Sequence, residues 1–288
     1  MEQNTNNSAY KILQEINEKH IKLKGEDISK SNQIVDFVKN VVIVQMCQVD
    51  PLFSAIYQKL YFTGSFYDGL KVGEPEEFDL NLVLEPKLPK GTFEIVRDST
   101  CHPSFMLFQI DDPKETLPKE HRLYDVIEDF MKLLTSHGKK YAMDPKLLRS
   151  WIQGILDKTL KLVGNRFRQY ELSNVTRKTS GPAMTIHFTT INGRQIDVDL
   201  VPVFSFNSEL LKNYPSAIHD LKWLNKHKPD FKEKVIKALD EKGFKLVPKP
   251  QKQNKRRSAN VRRAPKNTSP QFRIGKKLRY GNYLATKK

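Results

Sequence analysis

The chain has little cysteine, no long apolar run, and no acid at all in its last part. Cys47 and Cys101 are its only cysteines in 288 residues. They match no zinc spacing and supply no disulfide framework, so both read as buried apolar side chains and no disulfide is expected. No stretch approaches the ~20 consecutive apolar residues of a membrane span. The opening MEQNTNNSAY has neither the basic nor the apolar region of a secretory leader. A cytoplasmic location, with the nucleus as a further compartment, is the expectation, and no membrane partner is. No internal repeat is present, which argues against a solenoid.

The missing acid is more informative. Residues 245–288 contain no Asp or Glu but hold 15 of the 49 Lys and Arg, so the first 244 residues carry 34 basic against 33 acidic side chains. The formal net charge of +16 therefore belongs to the end of the chain. Runs such as KQNKRRSANVRRAPK cannot bury enough apolar surface to offset their ordering entropy, and the segment is expected to be mostly disordered. It reads equally as a solvated charge run, a nuclear localisation signal, or a nucleic-acid contact through residues such as Arg256 and Arg257. Contacts of that last kind are independent of base sequence and steeply salt-dependent.

What remains is a globular composition, 38% hydrophobic and 10% aromatic. It is long enough to bury roughly 75% of the unfolded surface in one large or two small domains. Apolar residues at helical spacing (Ile12, Leu13, Ile16, then Ile34, Val35, Val38, Val41, Val42) predict two helices up to residue 60, with Pro51 ending or kinking the second. Residues 77–84 alternate as a half-buried strand, and residues 92–110 read as two short strands around a turn. Tyr124, Ile127, Phe130, Met131 and Leu134 predict one helix. Asp144-Pro145 caps another through Trp151, Ile155 and Leu160. MTIHFTT and GRQIDVDLVPVFSF form two strands joined by Asn192-Gly193, whose residues tolerate the positive φ of a tight hairpin. Residues 219–243 read as short helices, and Trp151 and Trp223 as core. His187, alone in a strand, reads as structural rather than catalytic.

The chemistry concentrates in two strands. Side chains alternate across a strand, so Glu77 and Asp79 share one face while Phe78 and Leu80 point to the core. Asp197 and Asp199 repeat the pattern against Ile196, Val198 and Leu200. Three strand carboxylates suit two-metal phosphoryl transfer, and gathered like charges call for a cation. A Gly-Ser pair, Gly64-Ser65, lies twelve residues before Glu77.

The ordered segments TGSFYDGLKVGEPEEFDLNLVL, SGPAMTIHF, IDVDLVPVF and FKLVPKP resemble the cyclic GMP-AMP synthase-like receptors of the nucleotidyltransferase superfamily, over roughly residues 30–250. The resemblance implies an α/β (α+β) nucleotidyltransferase core, with a mixed twisted sheet, a long N-terminal helix and a reduced C-terminal helical region. The expected boundaries are N-terminal helices at 1–60, the core at 61–218, a short helical region at 219–244 and the basic tail at 245–288. By the same resemblance, Gly64 and Ser65 bind phosphate with Thr63 beside the nucleotide. Glu77, Asp79 and Asp199 are the catalytic residues and hold Mg²⁺ or Mn²⁺, and Asp197 is placed in the acceptor nucleotide site.

ATP and GTP are the implied substrates and a cyclic dinucleotide the product, made when nucleic acid binds. The activator is double-stranded RNA rather than DNA, and the product acts on a STING-type receptor in antiviral defence. Lys22, Lys24 and Lys39 mark the helical surface that would meet the duplex, although a solvated lysine face explains them as well. Family members continue past the KLVPK-type segment into a lobe with a Trp and an Arg-Leu-Ser-Phe-Ser segment. From Gln251 onward this chain shows a basic stretch instead, so a shortened or divergent lobe is expected. Two other readings stay open: a catalytically weak or inactive nucleic-acid-binding relative, and an RNA-modifying transferase of the poly(A) or oligoadenylate type.

Overall fold

The computed structural model of the chain describes residues 10–18, 25–68, 70–71, 76–97, 105–180, 183–206, 229–242, 244–248 and 272–274. The first segment is helical, yet Tyr10, Ile12, Leu13 and Ile16 are all exposed. The long helix α1 follows as Gly25–Phe37, a π-helical turn Val38–Val42, and Ile43–Val49. Its apolar stripe (Phe37, Val38, Val42, Met46) is wholly buried. Asp50 leaves the helical region (φ −139°, ψ 112°), and Pro51 then opens a new helix, α2 (Pro51–Ile56), for which the Asp50 side chain is the cap. Pro51 therefore ends one helix and starts another, because a first-turn N–H is dispensable.

Strand β1 (Tyr57–Thr63) comes directly after α2. The N-terminal helices thus stop short of the expected residue 60, since Tyr57–Leu60 find a ladder partner in β2 (Glu77–Leu84). Between them lies the short turn α3 (Gly64–Tyr67). Short helical turns at Pro113–Thr116, Tyr124–Val126 and Gly164–Tyr170 aside, the remaining elements in order are β3 (Phe93–Arg97), β4 (Phe105–Ile110), α4 (Ile127–Met131), β5 (Leu134–His137), β6 (Lys140–Met143), α5 (Pro145–Leu162), β7 (Leu172–Ser180), β8 (Ala183–Thr190), β9 (Gln195–Phe206), α6 (Pro229–Lys242), β10 (Phe244–Pro248) and β11 (Phe272–Ile274).

The strands form one mixed sheet in the order β1-β2-β9-β10-β11-β4-β6-β5, with β3 on β4 and the β7–β8 hairpin on the first half of β9. Among the described strands only β2 and β9 pair in parallel. One face carries Phe78, Leu80, Leu82, Val198, Leu200 and Phe204, each 0% exposed, in a core shared with α1, α2 and α5. Phe37 of α1 meets Phe188 of β8 edge-on at 6.0 Å. Asp50 also accepts from Trp151 Nε1 at 3.1 Å, which ties the α1–α2 corner to α5. The Asp144 side chain caps α5 by accepting from the Lys146 and Leu147 amides.

Three expectations are corrected. Leu134 is not the last residue of a helix. The Leu133 N–H bonds back to Phe130 O, after which the chain extends into β5. Gly138, at φ 67°, then turns it into β6, so pairing with β6 overrides local helical spacing. In the β8–β9 turn only Gly193 takes positive φ (80°), not Asn192. Gly193 N–H bonds to Thr190 O at 3.0 Å and Thr190 N–H to Arg194 O at 2.9 Å, a three-residue loop closed by a left-handed glycine. Finally, the stretch beginning at Lys245 is not all tail. Lys245 and Leu246 pair with Ser205 and Phe204 of β9, and Phe272–Ile274 bridge β10 to β4.

Candidate active site

The parallel register of β2 and β9 sets Asp79 opposite Asp199 and Glu77 opposite Asp197. Adding the neighbouring strands gives two rows across the sheet: Thr63, Asp79, Asp199 and Thr185 in one, and Glu77, Asp197 and His187 in the other. Glu77, Asp79 and Asp199 can each present a carboxylate oxygen within 4.8 Å of the others. Residues separated by about 120 positions thus meet because period-two alternation aims them to one face and the register brings those faces level.

Gly64 closes one side of the cluster. Its φ is 90°, and a Cβ built there would sit 2.0 Å from Asp79 Oδ2. A side chain at 64 is excluded twice, by backbone conformation and by the carboxylate. Thr63 Oγ1 donates to the Asp79 carbonyl at 3.1 Å. The turn that follows is held by Asp68 N–H to Gly64 O (2.9 Å) and Leu70 N–H to Ser65 O (2.8 Å). Aromatic packing fixes it to β1 and β2: Phe66 meets Phe78 of β2 at 4.8 Å, and Tyr67 meets Phe62 of β1 at 4.9 Å. Burial, with the Asp36 charge adding to it, pushes the Tyr67 hydroxyl up to about 12.

On the opposite side β8 supplies a donor to each β9 carboxylate. Thr185 Oγ1 donates to Asp199 Oδ1 at 2.6 Å. His187 Nδ1 lies 2.6 Å from Asp197 Oδ1, with both side chains partly exposed. His187, read as structural, therefore stands in the row beside the cluster. Further along the same face, Lys245 places its Nζ 3.2 Å from the centroid of the Tyr61 ring. Burial and then the nearby Lys59 charge lower the Lys245 pKa to about 8. Sequence reading missed Thr185 and Lys245, although the alternation of MTIHFTT already put Thr185 and His187 on one face.

Lys39 is exposed on α1. Lys22, Lys24, Arg256 and Arg257 lie outside the described residues, as do Cys101 and Trp223. Cys47 is a half-buried free thiol whose pKa burial raises. Among the described residues no helix is long and apolar enough to cross a membrane.

A family profile described as the Mab-21 protein nucleotidyltransferase domain matches residues 66–273, which includes β2, β9, β10 and most of β11. Curated relatives point the same way. A cyclic GMP-AMP synthase-like receptor of Tribolium castaneum is 33% identical over 207 residues, covering 69% of this chain and 50% of the relative. Those of Aethina tumida and Ctenocephalides felis are 27% and 25% identical, covering 86% and 84% of this chain and 57% and 54% of themselves. The chain thus spans about half the length of these relatives. A profile match over more than half of the chain, carrying the strands that bring Glu77, Asp79 and Asp199 together, shows that the chain belongs to the Mab-21 nucleotidyltransferase family.

Proposed function

We propose that the chain is a metal-dependent nucleotidyltransferase that joins ATP and GTP into a cyclic dinucleotide when nucleic acid binds, double-stranded RNA rather than DNA, with the product acting on a STING-type receptor. The observation that carries the transferase reading is the convergence of the Glu77, Asp79 and Asp199 carboxylates, within 4.8 Å, beside the Gly64 turn. The sensor reading is supported by the names of the relatives.

The donor set fits Mg²⁺ or Mn²⁺. All three groups are hard carboxylate oxygens, and three like charges this close repel one another without a cation. Bound by Glu77, Asp79 and Asp199, the ions would activate an acceptor hydroxyl and neutralise the phosphates. Gly64 and Ser65 hold the donor triphosphate, with Thr63 beside the nucleotide. Their turn is braced from behind by Phe66 on Phe78, so the phosphates meet a preorganised wall. The acceptor oxygen bonds to the donor α-phosphorus as the bond to pyrophosphate breaks, and Asp197 orients the acceptor nucleotide. Lys22, Lys24, Lys39, Arg256 and Arg257 contribute the charge that meets the duplex backbone.

Labelled ATP and GTP, with Mg²⁺ or Mn²⁺ and either duplex RNA or duplex DNA, test the reading directly. A cyclic product containing both bases, formed with duplex RNA only, is expected. Linear oligoadenylate or tailing of the RNA points to a different transferase, and duplex binding without any turnover leaves only a nucleic-acid-binding relative.

A further inference from the structure

We propose that Thr185 is a positioning residue for the metal site, holding the Asp199 carboxylate so that its free oxygen faces Asp79 and Glu77. The proposal rests on reading those three carboxylates as metal ligands.

Thr185 stands directly opposite Asp199 in the β8–β9 ladder, and the residue is 8% exposed. It is one of only three buried polar residues among those described. Its Oγ1 lies 2.6 Å from Asp199 Oδ1. An ionised carboxylate can only accept, so the single hydroxyl hydrogen goes to Asp199. The β-branched side chain is stiff about χ1, which makes the hydroxyl position a property of the strand rather than of a mobile side chain.

Consider Asp199 without that bond. Its carboxylate sits on an open sheet face with two like charges within 4.8 Å, and rotation away from them relieves repulsion. A donor fixed on the far side opposes that rotation. With Oδ1 committed to Thr185, Oδ2 is left for a cation shared with Asp79 and Glu77. Asp79 is accommodated differently: Gly64 has no Cβ, and one built there would lie 2.0 Å from Oδ2, so the bare Cα is what leaves the carboxylate its place. The two facing ligands are thus served from opposite flanks, Asp199 by a hydrogen bond from β8 and Asp79 by the space a glycine leaves. In the next row His187 stands to Asp197 as Thr185 does to Asp199, which makes β8 a supporting strand for the whole acidic edge of β9. Outer partners of this kind orient metal ligands, and their loss typically weakens metal affinity by about 10- to 100-fold.

The test is an electron paramagnetic resonance titration of Mn²⁺ into the whole chain, which counts free ion and requires no turnover. Thr185→Val removes the donor at nearly constant shape. Thr185→Ser and Thr185→Ala make a second pair that share the loss of the methyl group and differ only in the hydroxyl. Mn²⁺ affinity should fall about 10- to 100-fold in Thr185→Val and Thr185→Ala and return close to the wild-type value in Thr185→Ser. Thermal melts accompany each variant, and if Thr185→Val does not fold, the Ser/Ala pair decides. Equal Mn²⁺ affinity in Thr185→Ser and Thr185→Ala, or an unchanged affinity in folded Thr185→Val, overturns the proposal while leaving the metal site intact. Absence of Mn²⁺ uptake by the wild-type chain overturns the metal reading and this inference together.

Discussion

The two faces of the β2–β9 pair are built from alternate residues of the same strands, and they do opposite work. On one face Phe78, Leu80, Val198 and Leu200 are 0% exposed. Each contributes roughly 1.5 to 3 kcal/mol by leaving water. On the other face Glu77, Asp79 and Asp199 are exposed or half-buried and crowd like charge together, which opposes folding. The first face makes the strands rigid, and that rigidity lets the second hold its charges within 4.8 Å. Stability and candidate chemistry are therefore separated by one residue step along the chain.

The largest effect expected is on turnover. Changing Glu77, Asp79 or Asp199 singly to Ala should each cost roughly 10³-fold or more in rate, with double variants little worse than singles because the three act as one unit. Melting temperature should hold or rise in Glu77→Ala and Asp79→Ala, where like charge is removed, whereas Asp199→Ala also strands the buried Thr185 hydroxyl and gains less. Near-normal turnover in Asp199→Ala, measured as nucleotide consumption, breaks the division between the faces.

One step along, Leu200→Ala should behave in the opposite way. Stability falls by about 2 to 5 kcal/mol in denaturant titration, while activity per folded molecule survives. If Leu200→Ala lost activity without losing stability, the core face would be shaping the site by more than rigidity.

The smallest effect concerns Lys245, whose pKa of about 8 in the folded chain lies below the ~10.4 of an unfolded lysine. The unfolded lysine binds more protons between those values, so its contribution to stability should rise as pH climbs from 8 to 9.5. Cys47, Tyr57 and Tyr67, all raised chiefly by burial, work in the other direction, the thiol from about pH 8.5 and the tyrosines from about pH 10, so the lysine is read from the difference between wild type and variant. Lys245→Met should flatten the rise and lift the pH 7 melting temperature by roughly 1 to 3 °C, a modest figure because the ammonium is half-exposed and screened. Parallel wild-type and variant profiles across pH 8 to 9.5 would show that the sheet face tolerates this cation without strain.

Much of this was legible in residue order. Alternation marked residues 77–84 as a strand, which the structure shows as Glu77–Leu84. Asp50-Pro51 and Asp144-Pro145 marked helix boundaries because proline chemistry and side-chain capping act within a few residues. Tyr57–Leu60 and the β10 and β11 strands were not legible, because each takes its conformation from a ladder partner well separated in the chain, and Leu134 was not because its helical spacing is overridden by the β5–β6 hairpin.

The candidate site divides in the same way. That Glu77 and Asp79 share a face, and Asp197 and Asp199 another, follows from the two-residue period of a strand and from the sequence alone. That the two faces are one face, with Asp79 level with Asp199, Gly64 against Asp79 and Thr185 behind Asp199, was decided by the parallel register of β2 on β9. That register is set where Phe78, Leu80, Val198 and Leu200 pack into the core beneath α1, since a slip of one residue would turn every apolar side chain to water.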